Sequence, residues 1–196
     1  MESVEASDFI FKIIALGNQS VGKTSVTIRF ANDTFSSDYK MTLGMNLSTK
    51  NVKIHEKLVQ VAIWDVAGQT NFQPLLPMYY RGAFGALVIY DITNRRSFES
   101  ANRWIADIRK LAGEIPIVIV GNKKDLEENR EVTEEEGRKL SAEVGVNWEA
   151  PVHFKETSAK DSIAVDETFY ALAESIMDRI ENEDDEEIEI SFDFEQ

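Results

Sequence analysis

Two glycines, a lysine and a hydroxyl at fixed spacing are the first groups in this chain with the chemistry to hold a phosphate. Gly17-Asn18-Gln19-Ser20-Val21-Gly22-Lys23-Thr24 fits the pattern G-x-x-x-x-G-K-[ST]. Glycines let the backbone N–H groups of such a loop, here Gln19 through Ser25, curl around an anion, and a helix N-terminus behind them adds partial positive charge. Lys23 then reaches the β- and γ-phosphates, and the Thr24 hydroxyl takes Mg²⁺. The plainer reading is a glycine turn that binds nothing. The loop's position, directly between a strand-like run and a helical stretch, favours phosphate.

A second constellation addresses the base. Asn122-Lys123-Lys124-Asp125 follows an apolar strand-like run. A carboxylate at Asp125 accepts from guanine N1–H and N2–H₂, whereas adenine has no such donor pair and would leave the buried charge unmatched. Lys123 would lay its stem beneath the base, and Asn122 would tie this loop to the phosphate loop. The plainer reading is a polar exit from a strand. Farther on, Thr157-Ser158-Ala159-Lys160 offers backbone N–H groups to guanine O6, or is simply a turn before the last helix.

These segments need elements to hold them. Phe9–Leu16 is an apolar, β-branched run ending at Gly17, and similar runs cover Leu47–Ile54, Leu58–Asp65, Ala83–Asp91, Ile115–Val120 and Val152–Lys155. Between them lie helical patterns at Ser25–Ala31, at Phe98, Ala101, Ile105, Ile108 and Ala112, and from Val165 to Ile180. Thr133 and Glu136 form a capping box that opens another helix. The alternation predicts an α/β fold of the P-loop NTPase type, with a mixed sheet of six strands flanked by about five helices. The sheet is mostly parallel, but Leu47–Ile54 and Leu58–Asp65 are joined too closely for parallel strands and must form an antiparallel edge hairpin.

Composition bounds the rest. The chain has 196 residues, 43% of them hydrophobic, a formal charge of −14 and no cysteine. One domain is expected over residues 9–180, with a short arm at 1–8 and an acidic tail at 181–196. The tail holds nine acids and no base, so the body, with 26 acids against 21 bases, carries only −5. This charge argues against nucleic acid as a partner. No apolar run approaches the ~20 residues of a membrane span, and the N-terminus has no signal-peptide core. A cytoplasmic monomer is the expectation. Two alternatives stay open for the tail. Its composition suits a solvated, disordered segment, whereas Ile188, Ile190, Phe192 and Phe194 have the period of a strand that could pair with a partner's sheet edge.

Taken in order, G17-x₄-GKT24, W64-D-x-A-G-Q69, N122-K-K-D125 and E156-T-S-A-K160 resemble the small GTPases of the Ras superfamily, and the resemblance spans most of residues 9–180. Tyr79-Tyr80-Arg81-Gly82-Ala83 and Tyr90-Asp91-Ile92-Thr93 are similar to the Rab branch in particular. The resemblance implies a switch that binds GTP or GDP with Mg²⁺ and slowly hydrolyses GTP. It assigns Mg²⁺ and γ-phosphate binding to Thr42, a water-linked metal contact to Asp65, a γ-phosphate N–H to Gly68 and the orientation of the attacking water to Gln69. Lys23, Thr42 and Gln69 form the implied catalytic set. Phe35 would pack edge-on against guanine and Tyr39 would cover the phosphates.

Effectors, exchange factors and activating proteins would meet switch loops 35–47 and 66–79. Leu47, Trp64 and Tyr79 fall where Rab-like proteins carry an aromatic triad, though half-exposed packing at a sheet edge explains them equally well. Gln19 stands where many relatives have glycine, which predicts altered partner dependence. The expected prenylated cysteines are absent, so no covalent membrane anchor is evident. His55 and His153 are read as non-catalytic, and 145–151 as a surface loop. The alternative function is a nucleotide-binding interaction module with negligible turnover. A P-loop ATPase or kinase ranks behind both because Asp125 is in place.

Overall fold

The computed structural model describes residues 6–35, 44–66 and 76–193. Its strands are β1 (Phe9–Leu16), β2 (Met45–Ile54), β3 (Lys57–Val66), β4 (Gly85–Asp91), β5 (Ile117–Asn122) and β6 (Val152–Thr157). They form one mixed sheet in the order β2-β3-β1-β4-β5-β6, in which only β2 pairs antiparallel. The hairpin turn between β2 and β3 is His55-Glu56, with positive φ of 46° and 64°. That mirror-image backbone matches strand twist in a two-residue loop.

Central β1 shows why the sheet must be covered twice. Phe11, Ile13 and Ala15 point into one core, and Ile14 and Leu16 into the other. The first core is closed by α1 (Lys23–Asn32) and α6 (Val165–Asp193), where Phe30 stacks on Phe169 with ring centroids 4.0 Å apart. The second receives Trp104, Ile105 and Ile108 from α4 (Ala101–Leu111) and Leu140 from α5 (Glu134–Gly145). The short helices α2 (Leu76–Tyr80) and α3 (Arg95–Glu99) complete this side.

Three local readings change. The single helical pattern from Phe98 to Ala112 is split, because the Asn94 side chain caps α3 by accepting from Ser97 N–H and α4 restarts after Ser100. This split and the short helix α2, which no helical pattern marked, bring the described residues to six α-helices, where about five were expected. Helix α6 runs on to Asp193, so the boundary placed at 180/181 falls inside a helix. Glutamate is a strong helix former and the packed part of α6 supplies the nucleus, so extension is cheap. Finally, 145–151 is not merely a surface loop. Trp148 is buried, donates its Nε1–H to Ile115 O at 2.9 Å and lies under the Arg109 guanidinium.

Candidate functional site

The carboxyl ends of β1, β3, β4, β5 and β6 meet at one edge of the sheet, the usual place for a ligand in a doubly covered sheet. Gly17 leaves β1 with φ 144°, and a Cβ there would lie 2.1 Å from Ile89 O. The chain turns again at Ser20 (φ 64°) and Gly22 (φ 95°) before entering α1. These turns wrap the loop around the Lys23 ammonium, which donates to Gly17 O at 3.0 Å and Asn18 O at 2.8 Å. Burial lowers the Lys23 pKa to about 8, against a smaller opposing pull from Asp65. A phosphate at the loop would supply the counter-charge that two carbonyls lack.

Beside it, the Thr24 hydroxyl donates to Asp65 Oδ2. A hydroxyl and a carboxylate at the head of the loop make an oxygen-only donor set, which fits a hard divalent cation such as Mg²⁺. Val21 is buried, so only its backbone faces the site, while Gln19 and Ser20 are exposed.

The other end is assembled from distant elements. The Asn122 amide donates to Val21 O at 2.9 Å, and its carbonyl accepts from Thr157 Oγ1 at 3.0 Å. Lys123 takes the left-handed conformation, φ 70°, and its ammonium lies 2.6 Å from Asp91 Oδ2. Asp125 accepts from Ser158 Oγ at 2.7 Å, with Lys160 Nζ 4.0 Å from its second oxygen. Ala159 is buried, and its carbonyl accepts from Arg29 Nε of α1 at 2.9 Å.

Between the two ends lies a cavity of about 350 Å³. Ser20, Gly22 and Ser25 line it on the loop side, and Asn122, Lys123, Asp125 and Lys160 on the other. Phe35, 40% exposed, stands at its mouth. Tyr39, Thr42, Gly68 and Gln69 lie outside the described residues.

Several supports had no sequence signal strong enough to single them out. Arg29 clasps both Ala159 O and Lys160 O. Arg130 holds the buried Glu156 carboxylate through bonds of 2.6 and 2.9 Å, just before Thr157 and Ser158. Asn18 donates to Ser100 Oγ and accepts from Trp104 Nε1, both at 3.0 Å, which fastens the phosphate loop to α4. Asp91 was visible only as one letter of Tyr90-Asp91-Ile92-Thr93. On the outer surface, Trp64 and Tyr79 lie edge-tilted with centroids 6.4 Å apart, and Leu47 is exposed.

Comparison with known proteins places these features in a family context. A model of the Ras family matches residues 12–178. The Arabidopsis thaliana Ras-related protein RABA6a is 40% identical over 169 residues, covering 86% of this chain and 70% of its own. The Diplobatis ommata Ras-related protein Rab-8 is 39% identical over 174 residues, covering 88% of this chain and 80% of its own. The Bos taurus Ras-related protein Rab-3B is 40% identical over 174 residues, with 88% and 77% covered.

Proposed function

Because the chain belongs to the Ras family of GTPases, with Rab proteins among its relatives, we propose that it is a GTP/GDP switch whose nucleotide occupies the cavity between Gly17–Thr24 and Asn122–Asp125. The observation that carries this reading is the single cavity bounded at one end by the buried Lys23 loop and at the other by Asp125. The base end is specific because Asp125 accepts two hydrogens from guanine, with the Ser158 hydroxyl already fixing the carboxylate. Ser158, Ala159 and Lys160 would present backbone N–H groups to O6.

At the phosphate end, backbone N–H groups of 19–25 and the Lys23 ammonium neutralise the β- and γ-oxygens. Thr24, Asp65 and Thr42 would hold Mg²⁺, which supplies charge neutralisation on those oxygens. Gln69 orients the attacking water, and Gly68 donates to the γ-phosphate. Hydrolysis without a partner is then slow, on the order of 10⁻⁴ to 10⁻² s⁻¹. Loss of the γ-phosphate releases Thr42 and Gly68, and segments 35–47 and 66–79 report the change to protein partners. Trp64, Tyr79 and Leu47 border those segments. Among the described residues no helix is long and apolar enough to cross a membrane.

The test is to identify the nucleotide that co-purifies with the chain and to time a single turnover with and without Mg²⁺. Bound GDP or GTP and slow, Mg²⁺-dependent release of phosphate is the expected result. Bound adenine nucleotide would overturn the base assignment. Turnover above about 1 s⁻¹ without a partner would overturn the slow switch. Tight guanine binding with no measurable turnover would leave an interaction module instead.

A further inference from the structure

The base-end side chains of Asn122–Asp125 are held by residues distant in sequence, and the partner of Lys123 is the least expected. Asp91 ends β4 and pairs in register with Asn122, the residue immediately before Lys123. Its side chain is 8% exposed, yet it carries a carboxylate. One oxygen, Oδ1, accepts from Thr93 N at 2.8 Å and from Thr93 Oγ1 at 2.7 Å. These two bonds fix the carboxylate plane and leave Oδ2 aimed at Lys123 Nζ, 2.6 Å away.

A strand-end turn would need only Oδ1, so closing the turn does not account for Oδ2. Stability is a weak reason for the pair as well, because burying a charge pair returns little net free energy. What the pair does supply is order. A lysine stem carries large rotamer entropy, and Lys123 starts from a left-handed backbone at the edge of the cavity. Holding the ammonium at its far end turns four mobile methylenes into a fixed rail along the cavity wall.

We propose that Asp91 is a positioning residue for guanine binding: it anchors the Lys123 ammonium so that the lysine stem is preset as the platform under the base. The inference rests on the reading of Lys123 as the base support. Asp91 touches no nucleotide and acts only through Lys123. Nucleotide release should therefore respond to Asp91 when Lys123 can be anchored and ignore it when Lys123 cannot.

The experiment is a double-mutant cycle on the full chain with Mg²⁺ present, reading the release of a fluorescent GDP analogue chased with unlabelled GDP. Asp91→Asn keeps an oxygen for Thr93 and removes the charge, while Lys123→Met keeps an apolar stem and removes the ammonium. Each single variant should release GDP about tenfold faster, the loss of roughly one charge-assisted hydrogen bond. The double variant should release it no faster than Lys123→Met alone. Thr93→Val, which removes one of the two bonds that orient the Asp91 carboxylate but keeps the Thr93 N–H, should accelerate release less than Asp91→Asn does.

Additive effects of the two substitutions, or unchanged release in Asp91→Asn while Lys123→Met is fast, would overturn the proposal. Unchanged release in Lys123→Met would remove the base-support reading and the proposal with it. Should Asp91→Asn fail to fold, Asp91→Ser, which also removes the charge and keeps an oxygen for Thr93, takes its place in the same cycle. Faster release than the parent with Lys123 present and no added effect on Lys123→Met supports the proposal, and unchanged or additive release overturns it.

Discussion

The two ends of the cavity solve the same problem, placing polar groups around one cleft, by opposite means. At the phosphate end the work is local and falls mainly to the backbone. Eight consecutive residues turn at three positive-φ positions and use their own carbonyls to hold Lys23. At the base end no motif residue is held by its neighbours. Asn122 reaches Val21 and Thr157, Lys123 reaches Asp91, and Asp125 reaches Ser158. One end is shaped by what side chains are absent, the other by side-chain pairs drawn from several strands. The phosphate end should therefore be fragile to added atoms and the base end to lost partners.

The strongest way to break the phosphate end is to add one methyl group. Gly17→Ala would place a Cβ 2.1 Å from the backbone oxygen of Ile89 at a φ that alanine avoids. The expected outcome is a loss of more than about 3 kcal/mol of stability in urea unfolding, together with loss of nucleotide binding.

At the base end the comparable break is a deletion. Asn122→Ala leaves Val21 O and the Thr157 hydroxyl without their buried partner. About 2 to 3 kcal/mol should be lost in the same assay, and the two ends should come apart as a binding unit. Asp125→Asn sharpens the contrast by leaving the fold intact. Titration should show guanine nucleotide affinity falling at least about tenfold, with affinity for a xanthine nucleotide rising because its C2 carbonyl accepts from the new amide.

The phosphate end also carries a pH signature. Burial sets the Lys23 pKa near 8 in the free protein, and a bound phosphate raises it. Below pH 8 both states hold the proton and affinity is full. Above it, binding must take up a proton, so measured affinity should fall by up to about tenfold per pH unit until the bound-state value is reached. Away from the site, partial burial, reinforced by Lys155, depresses the His153 pKa below its ordinary value, and the ring sits 2.8 Å from Ser175 Oγ. Stability is then whole above about pH 6.5 and declines as pH falls and the unfolded imidazole gains its proton. Because His153 is only half-buried, this loss should be small, and it should vanish in His153→Gln.

Both ends were legible in the sequence, but to different depths. Gly17 and Gly22 take φ of 144° and 95°, values that other residues rarely adopt, and a strand-to-helix turn needs few residues, so Gly17–Thr24 states its geometry in its own letters. The edge hairpin was readable for the same reason, since three residues cannot cross between parallel strands. Asp125 was readable as a carboxylate suited to guanine, but its bond to Ser158 was not, since 33 residues separate them. The split of α3 from α4 was hidden because a helical period survives a one-residue break, and Trp148 was hidden because an aromatic in a polar loop gives no period at all.

The sequence alone determined the alternation of strands and helices, the one antiparallel edge, the phosphate loop and the residue types that meet a base. Those features depend on periodicity and on the conformational limits of individual residues, both of which are local. Tertiary structure decided what holds the functional side chains: Asp91 behind Lys123, Arg29 behind Ala159, Trp104 behind Asn18, Arg130 behind Glu156. Each pairing joins residues 26 to 130 positions apart, and only the register of parallel strands and the packing of helices across them brings such residues within hydrogen-bonding distance.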